Sequence, residues 1–270
     1  MNVRANSDNE YNDFLALFES HGGTPADYLD DHYLRFRATF DEFRATWKQE
    51  GKRVLDVGAH WLHQSVMWRQ GGFEITAMDL PGTLRDPRVR SVAEAMDITL
   101  LPCVDMEQAQ ELSYIPDDSM DIVLFTEILE HITFNPVHFW RQIYRVLKPG
   151  GRIVVTTPNY YSWKGRAWQP LRFLSGQGGG ISVDEVLGHH TYGHHWREYS
   201  AREIARYFRL LSPDFTPAKL RLMHTYRLSD VKWKRITQQL MDACPLLRPN
   251  VHAEIELTSK QAGIVAAPSW

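Results

Sequence analysis

From residue 53 onward, short apolar runs alternate with stretches of helical periodicity, and this alternation leaves few folds open. The runs at 53–57 (RVLDV), 74–79 (EITAMD), about 98–103 (ITLLPC), 121–125 (DIVLF) and 152–157 (RIVVTT) are nearly continuous in apolar character, as strands covered on both faces must be. Helices fit between them at about 63–71, 87–96 and 136–147, the last halted by Lys148-Pro149-Gly150-Gly151, because neither proline nor glycine continues a helix. Right-handed crossovers then wind such strands into an α/β doubly wound sheet.

The residues before this region follow a different rhythm. Tyr11, Phe14, Leu15 and Phe18, then Tyr33, Phe36, Phe40, Phe43 and Trp47, recur at helical spacing on either side of Gly22-Gly23-Thr24-Pro25, which predicts two helices joined by a turn. The expected organisation is an N-terminal helical cap over 1–50 and one domain over 51–270, since a chain of 270 residues is about what one core supports. Residues 158–199 break the alternation, being rich in Gly, Trp, Tyr and His. An insertion of that length in a compact domain is usually functional, so about 159–199 is expected to be a lid hinged at Gly176, Gly178, Gly179 and Gly180. Beyond it, Ser200 and Glu203 make a capping box for a helix over 200–211, followed by a strand over 218–227, a helix over 229–243 and a strand over 251–258.

Composition removes several function classes. With 43% hydrophobic and 23% charged residues, the chain has enough apolar content to fold. No apolar run approaches the roughly 18 residues of a membrane span, and the polar, acidic N-terminus is unlike a secretory signal, so a cytoplasmic location is expected. Cys103 and Cys244 make neither a disulfide framework nor a zinc site. The net charge of −3 argues against nucleic acid as a partner. Charge is uneven, however, with residues 1–50 acid-rich and 202–235 basic. The plain reading is solvated helix faces, and the sharper one is an anionic substrate.

Chemistry concentrates at the strand ends. The first strand runs into Asp56-Val57-Gly58-Ala59-His60-Trp61-Leu62, a turn whose backbone NH groups face the crevice where open α/β sheets bind nucleotide-like ligands. Asp79 ends the second strand, 23 residues after Asp56, the spacing at which a carboxylate accepts hydrogen bonds from ribose hydroxyls. Asp105 follows the third strand, and the fourth runs into Glu127-Ile128-Leu129-Glu130-His131.

Taken in order and spacing, VLDVGA, AMDL, CVDM, PDDSMDIVLFTEILEHI and RVLKPGGRIVVTTPN resemble class I S-adenosylmethionine-dependent methyltransferases, close to the small-molecule group that includes quinone-biosynthesis and sugar-modifying enzymes. The likeness covers about 53–159, and HHWREYSAREIARYF resembles a segment downstream in the same group. It implies a Rossmann-like seven-stranded sheet with an antiparallel last strand and S-adenosyl-L-methionine as cofactor. The cofactor site would draw on Asp56 and Gly58 near the methionine part, which His60 could also line, Asp79 at the ribose, Asp105 at the adenine and Glu127 in the pocket wall, with Ala59, Leu80 and Met106 as further cofactor contacts. One departure stands out: His60 and Leu62 occupy positions where this family usually has glycine, and a Cβ there either crowds the cofactor or redirects the loop.

Methyl transfer from a sulfonium needs alignment and exclusion of water, and a hydroxyl acceptor must also lose a proton. His195 and His131 are the candidate bases, in that order, with His189, His190 and His194 in the same lid. The HHTYGHH segment also suggests metal, but it lacks the partner spacings of known zinc patterns, so no metal is expected. Trp163, Arg197 and Tyr199 are candidate substrate contacts, with core packing or lid anchoring as their alternative. The expected function is methylation of a small or carrier-linked metabolite, with hydroxyl oxygen favoured. A nicotinamide-dependent oxidoreductase and a non-catalytic binding module remain open beside it.

Overall fold

The computed structural model describes residues 3–47, 52–163, 165, 183–188 and 193–268. The chain divides into two compact units, Met1–Val104 and Asp105–Trp270.

In the first unit, helices α1 (Val3–Ser20) and α2 (Ala26–Thr46) precede β1 (Arg53–Val57), α3 (His63–Gln70), β2 (Glu74–Asp79), α4 (Pro81–Leu84), α5 (Pro87–Ala95) and β3 (Thr99–Pro102). The aromatic spacing of the N-terminus acts as expected: Phe14, Phe18, Tyr33, Phe36, Phe43 and Trp47 are all buried. Phe43 lies 4.8 Å from the Trp68 ring of α3. β1 pairs parallel with β2, and β2 with β3. β1 is buried along its length after Arg53, which is why its sequence reads as a continuous apolar run.

The second unit carries β4 (Met120–Thr126), α6 (Val137–Val146), β5 (Leu147–Pro158), the short helix α7 (Val183–Gly188), α8 (Ala201–Leu211), β6 (Phe215–Met223), α9 (Lys232–Ala243) and β7 (Asn250–Leu257). β4 and β5 are parallel, and β7 runs antiparallel to both β5 and β6. The helices α6 and α8 bury Phe139, Trp140, Ile143, Ile204 and Phe208, with Trp140 stacked edge-on against Phe208 at 5.0 Å. The strand order of the seven-stranded sheet is β3-β2-β1-β4-β5-β7-β6, and the expected seven strands and antiparallel last strand are in place.

The strand expected from 152 already starts at Leu147, and side-chain caps shift boundaries near the C-terminus. The strand expected over 218–227 ends at Met223, because Thr225 donates from its backbone N and its Oγ1 to the carboxylate of Asp242 instead of joining β7. The helix expected from 229 starts at Lys232, since Ser229 donates its N–H to Gln238 Oε1 and its hydroxyl oxygen accepts from Val231 N. The capping box of Ser200 and Glu203 is formed as read. Of the expected lid, Trp168, the four hinge glycines and His189 and His190 lie outside the described residues. No helix of the described residues is long and apolar enough to cross a membrane.

Candidate active site

Within the first unit, the loop after β1 is shaped around Asp79. Its Oδ2 accepts from His60 N at 2.7 Å and its Oδ1 from Leu80 N at 2.6 Å, while Gly58 and Ala59 donate their N–H groups to Met78 O. A carboxylate oxygen can accept more than one hydrogen bond, so Asp79 keeps capacity for hydroxyls while holding the loop. Gly58 takes φ +76°, and His60 and Leu62 also adopt left-handed backbone at +47° and +65°.

The missing glycines are therefore accommodated by conformation. Leu62 turns its side chain into the core, where it is fully buried, and the His60 ring packs 4.9 Å from Tyr28 and 5.5 Å from Trp61. The backbone path that glycine would allow is kept. Together with the carboxylate at the β2 end, this loop fits the hydroxyl-bearing, NH-accepting chemistry of a nucleoside cofactor.

Asp56 does not project from the strand end. Its side chain is buried and accepts from Ser65 Oγ of α3 at 2.5 Å, so it acts on the loop from beneath. Burial raises its pKa to about 7, with Ser65 opposing and Asp79 adding to the rise. His63, two residues before Ser65 on α3, is driven the other way: burial, with His60 and His32 nearby, lowers its pKa to about 3. Its Nε2 meets Thr24 Oγ1 at 3.0 Å, and Phe18 and Tyr28 lie against its ring. This roof of Thr24 and Tyr28 over the loop escaped the sequence reading, which took Gly22-Gly23-Thr24-Pro25 only as a separator.

In the second unit, Asp105 is exposed and its Oδ1 accepts from Glu107 N and Gln108 N, closing a turn that leaves Met106 half-buried. Glu127 directly after β4 holds φ +55° and donates its N–H to Thr156 O. Strained backbone of this kind clusters at functional sites. A short 3-10 turn, Leu129–His131, then presents Glu130 and His131.

The segment over 193–199 docks on this turn. Trp196 N and Arg197 N donate to Glu130 O, and His131 Nδ1 lies 3.0 Å from His194 O. A carbonyl only accepts, so His131 carries its proton on Nδ1 and exposes a lone pair on Nε2. The His131 and His195 rings meet edge-on with centroids 4.7 Å apart. Glu130 is fully buried, and its Oε2 accepts from Thr157 Oγ1 at 2.9 Å. Donor atoms of Glu130, His131 and His195 all lie within 4.8 Å of one another, a set that could hold either a proton or a metal ion. Burial and the neighbouring His195 hold the His131 pKa below the ordinary imidazole value.

The substrate candidates separate. Arg197 donates to Glu203 at 2.9 Å and lies over the Tyr199 ring, so it ties the returning segment to α8. Tyr199 O accepts from Tyr160 N, and Trp163 donates its backbone N–H to Leu247 O. Asn159 just after β5 was unread in the sequence: it is buried, and its Nδ2 donates to both Leu246 O and Arg248 O.

A methyltransferase-domain family model matches residues 29–211. The chain belongs to this family. Its methyltransferase domain has the fold of S-adenosylmethionine-dependent methyltransferases of known structure. Among its relatives, the malonyl-[acyl-carrier protein] O-methyltransferase of Serratia marcescens is 34% identical over 124 residues, 45% of each chain. The ubiquinone biosynthesis O-methyltransferase of Xanthomonas oryzae pv. oryzae is 27% identical over 161 residues, 59% of this chain and 61% of that one. This methyltransferase chain thus spans about half the length of the curated relatives it matches. An S-adenosylmethionine-dependent methyltransferase structure from Mesorhizobium loti has the same fold, with a TM-score of 0.57 at 17% identity, over 83% of this chain and 99% of that one.

Proposed function

We propose that this methyltransferase transfers the cofactor's methyl group to a hydroxyl oxygen of a small or carrier-linked metabolite, with His195 first and His131 second taking the acceptor proton. The observation that carries the reading is the pair of imidazoles docked beside the buried carboxylate of Glu130. The named activities of the relatives support oxygen as the acceptor atom, and one of them works on a carrier-linked substrate.

When bound, the cofactor supplies an electrophilic methyl group on a sulfonium. The chain's residues bind and orient. Asp79 takes the ribose hydroxyls, Asp105 and Met106 the adenine side, and the Gly58–Leu62 loop the methionine side. An imidazole nitrogen of His195 or His131 would take the proton that a hydroxyl acceptor must lose when it is methylated. Neutral His131 is ready to accept because its pKa is held low, and the carboxylate of Glu130 offsets the positive charge that results. A carboxylate acceptor would need no such base, so the histidine pair favours a hydroxyl.

The test is titration calorimetry with S-adenosylmethionine, its demethylated product and NAD, then turnover on phenol, alcohol and carboxylic acid acceptors. His195→Gln and His131→Gln should keep cofactor affinity and lose about 10²-fold to 10⁴-fold in turnover on a hydroxyl acceptor. Full turnover by both variants across about pH 6 to 9 would assign the proton to another group. Loss of turnover with a chelator, restored by a divalent ion, would replace the base by a metal-held acceptor. Absence of any cofactor binding would leave a non-catalytic module.

A further inference from the structure

The basic stretch before the last strand is left without a role by the methyl-transfer chemistry, and the structure gives it a shape. Helix α9 is built with its amphipathicity reversed. Its polar side is moored to the protein: Asp242 is buried and accepts from Thr225, while Gln238 accepts from Ser229 N. Arg248 Nε closes the same side by donating to Asp242 O.

At about 100° per residue, Trp233, Ile236 and Leu240 fall on the opposite face from Asp242. All three are exposed, Trp233 at 66% and Leu240 at 64%. Val231 at the helix start and Leu246 beyond its end extend the exposed apolar surface. Lys232 and Lys234 flank the apolar stripe on either side, and the Lys234 ammonium lies 5.7 Å over the Trp233 ring. Arg235 is also exposed, and the helix's one acidic residue, Asp242, is the buried one. Every exposed charge on this helix is positive, on a chain whose net charge is −3.

We propose that α9 is a membrane-surface contact, laying Trp233, Ile236 and Leu240 into the interfacial region of an anionic bilayer while Lys232 and Lys234 reach its headgroups. A convex ridge of one helix needs no complementary groove, which suits a fluid surface. Tryptophan favours the water–lipid boundary, and lysine stems lie along apolar surface with the charge in the headgroup layer. The cationic flank supplies the attraction to anionic lipid. Contact of this kind is peripheral and spans nothing. It would bring the chain to lipid-borne metabolites.

The experiment is co-sedimentation of the full chain with vesicles of phosphatidylcholine, with and without about a quarter phosphatidylglycerol. Binding should require the anionic lipid and weaken with salt. Trp233→Ser combined with Leu240→Ser should reduce binding at least tenfold, while Lys232→Gln and Lys234→Gln should each cost about fivefold. Circular dichroism melting and cofactor affinity of each variant should match the parent, which separates loss of contact from loss of fold. Equal binding to uncharged vesicles, no vesicle binding at all, or unchanged binding by the double serine variant would overturn the proposal. So would a dimer in sedimentation equilibrium that the double variant dissolves while vesicles have no effect, because the face would then join two copies of the chain.

Discussion

His60 and Leu62 sit in left-handed backbone at φ +47° and +65°, a region that costs a side-chain-bearing residue about 1–2 kcal/mol. Glycine would remove that strain and lose about 0.5–1 kcal/mol of conformational entropy, so the side chain decides the outcome. The His60 ring is exposed and makes ring contacts at the surface. His60→Gly should therefore change stability by less than about 1 kcal/mol. Leu62 is fully buried, and removing it forfeits about 1.5–3 kcal/mol of burial along with a cavity term. Leu62→Gly should destabilise by about 2 kcal/mol or more, read from denaturant midpoints. Equal effects at the two positions would mean that strain, and not packing, governs this loop.

At the scale of elements, the end of β5 is held by a cluster of hydrogen bonds at Asn159. Asn159 donates its N–H to Pro249 O and its side chain to Leu246 O and Arg248 O, and its Oδ1 accepts from Tyr161 N. It thereby joins the end of β5 to the turn before β7 and pairs with Tyr199 across a parallel bridge. Asn159→Ala would remove the donor from two part-buried carbonyl groups, Leu246 O and Arg248 O, at about 0.5–1.5 kcal/mol for each hydrogen bond lost. The expected result is a destabilisation of about 1–3 kcal/mol and faster proteolysis between 159 and 199, with cofactor affinity nearly unchanged. Proteolysis at the parent rate would show that the returning segment is held at Glu130 and Ser200 alone.

At the scale of the whole molecule, two buried groups on β1 and α3 pull stability in opposite directions with pH. Asp56 goes from 3.8 unfolded to about 7 folded, so its contribution is complete below about pH 4 and is lost as pH rises toward 7. His63 goes from 6.5 unfolded to about 3 folded, so the folded state resists protonation and stability is lost as pH falls from about 6.5. Between about pH 4 and 6.5 the two slopes, each up to about 1.4 kcal/mol per pH unit, nearly cancel. The parent protein should therefore lose stability on acidification less steeply than His63 alone would dictate, with the lowered pKa values of His60 and His131 adding to the loss. Asp56→Asn should uncover the histidine slope, giving a protein that weakens steadily on acidification. Denaturant midpoints at about pH 4.5 and 6.5 read the difference, and a flat profile in the variant would remove His63 from the account.

What the sequence determined by itself was the sheet and its order of elements, because strands buried on both faces leave continuous apolar runs and helices leave a 3.6-residue period. The same local logic exposed the Ser200–Glu203 box and the strand-end acids Asp79 and Asp105, since each rests on residues close in the chain. Only the tertiary structure decided how His60 and Leu62 stand in for glycine, because φ is fixed by where each side chain can pack. It also decided that Asp56 turns to Ser65 and that Thr157, 27 residues distant, orients Glu130. Asn159 finds its carbonyl partners 87 and 89 residues away. The outward apolar face of α9 was hidden for the same reason. A helical period shows that one face differs from the other, but which face meets the protein is set by contacts such as Asp242 to Thr225, and those exist only once the chain has folded.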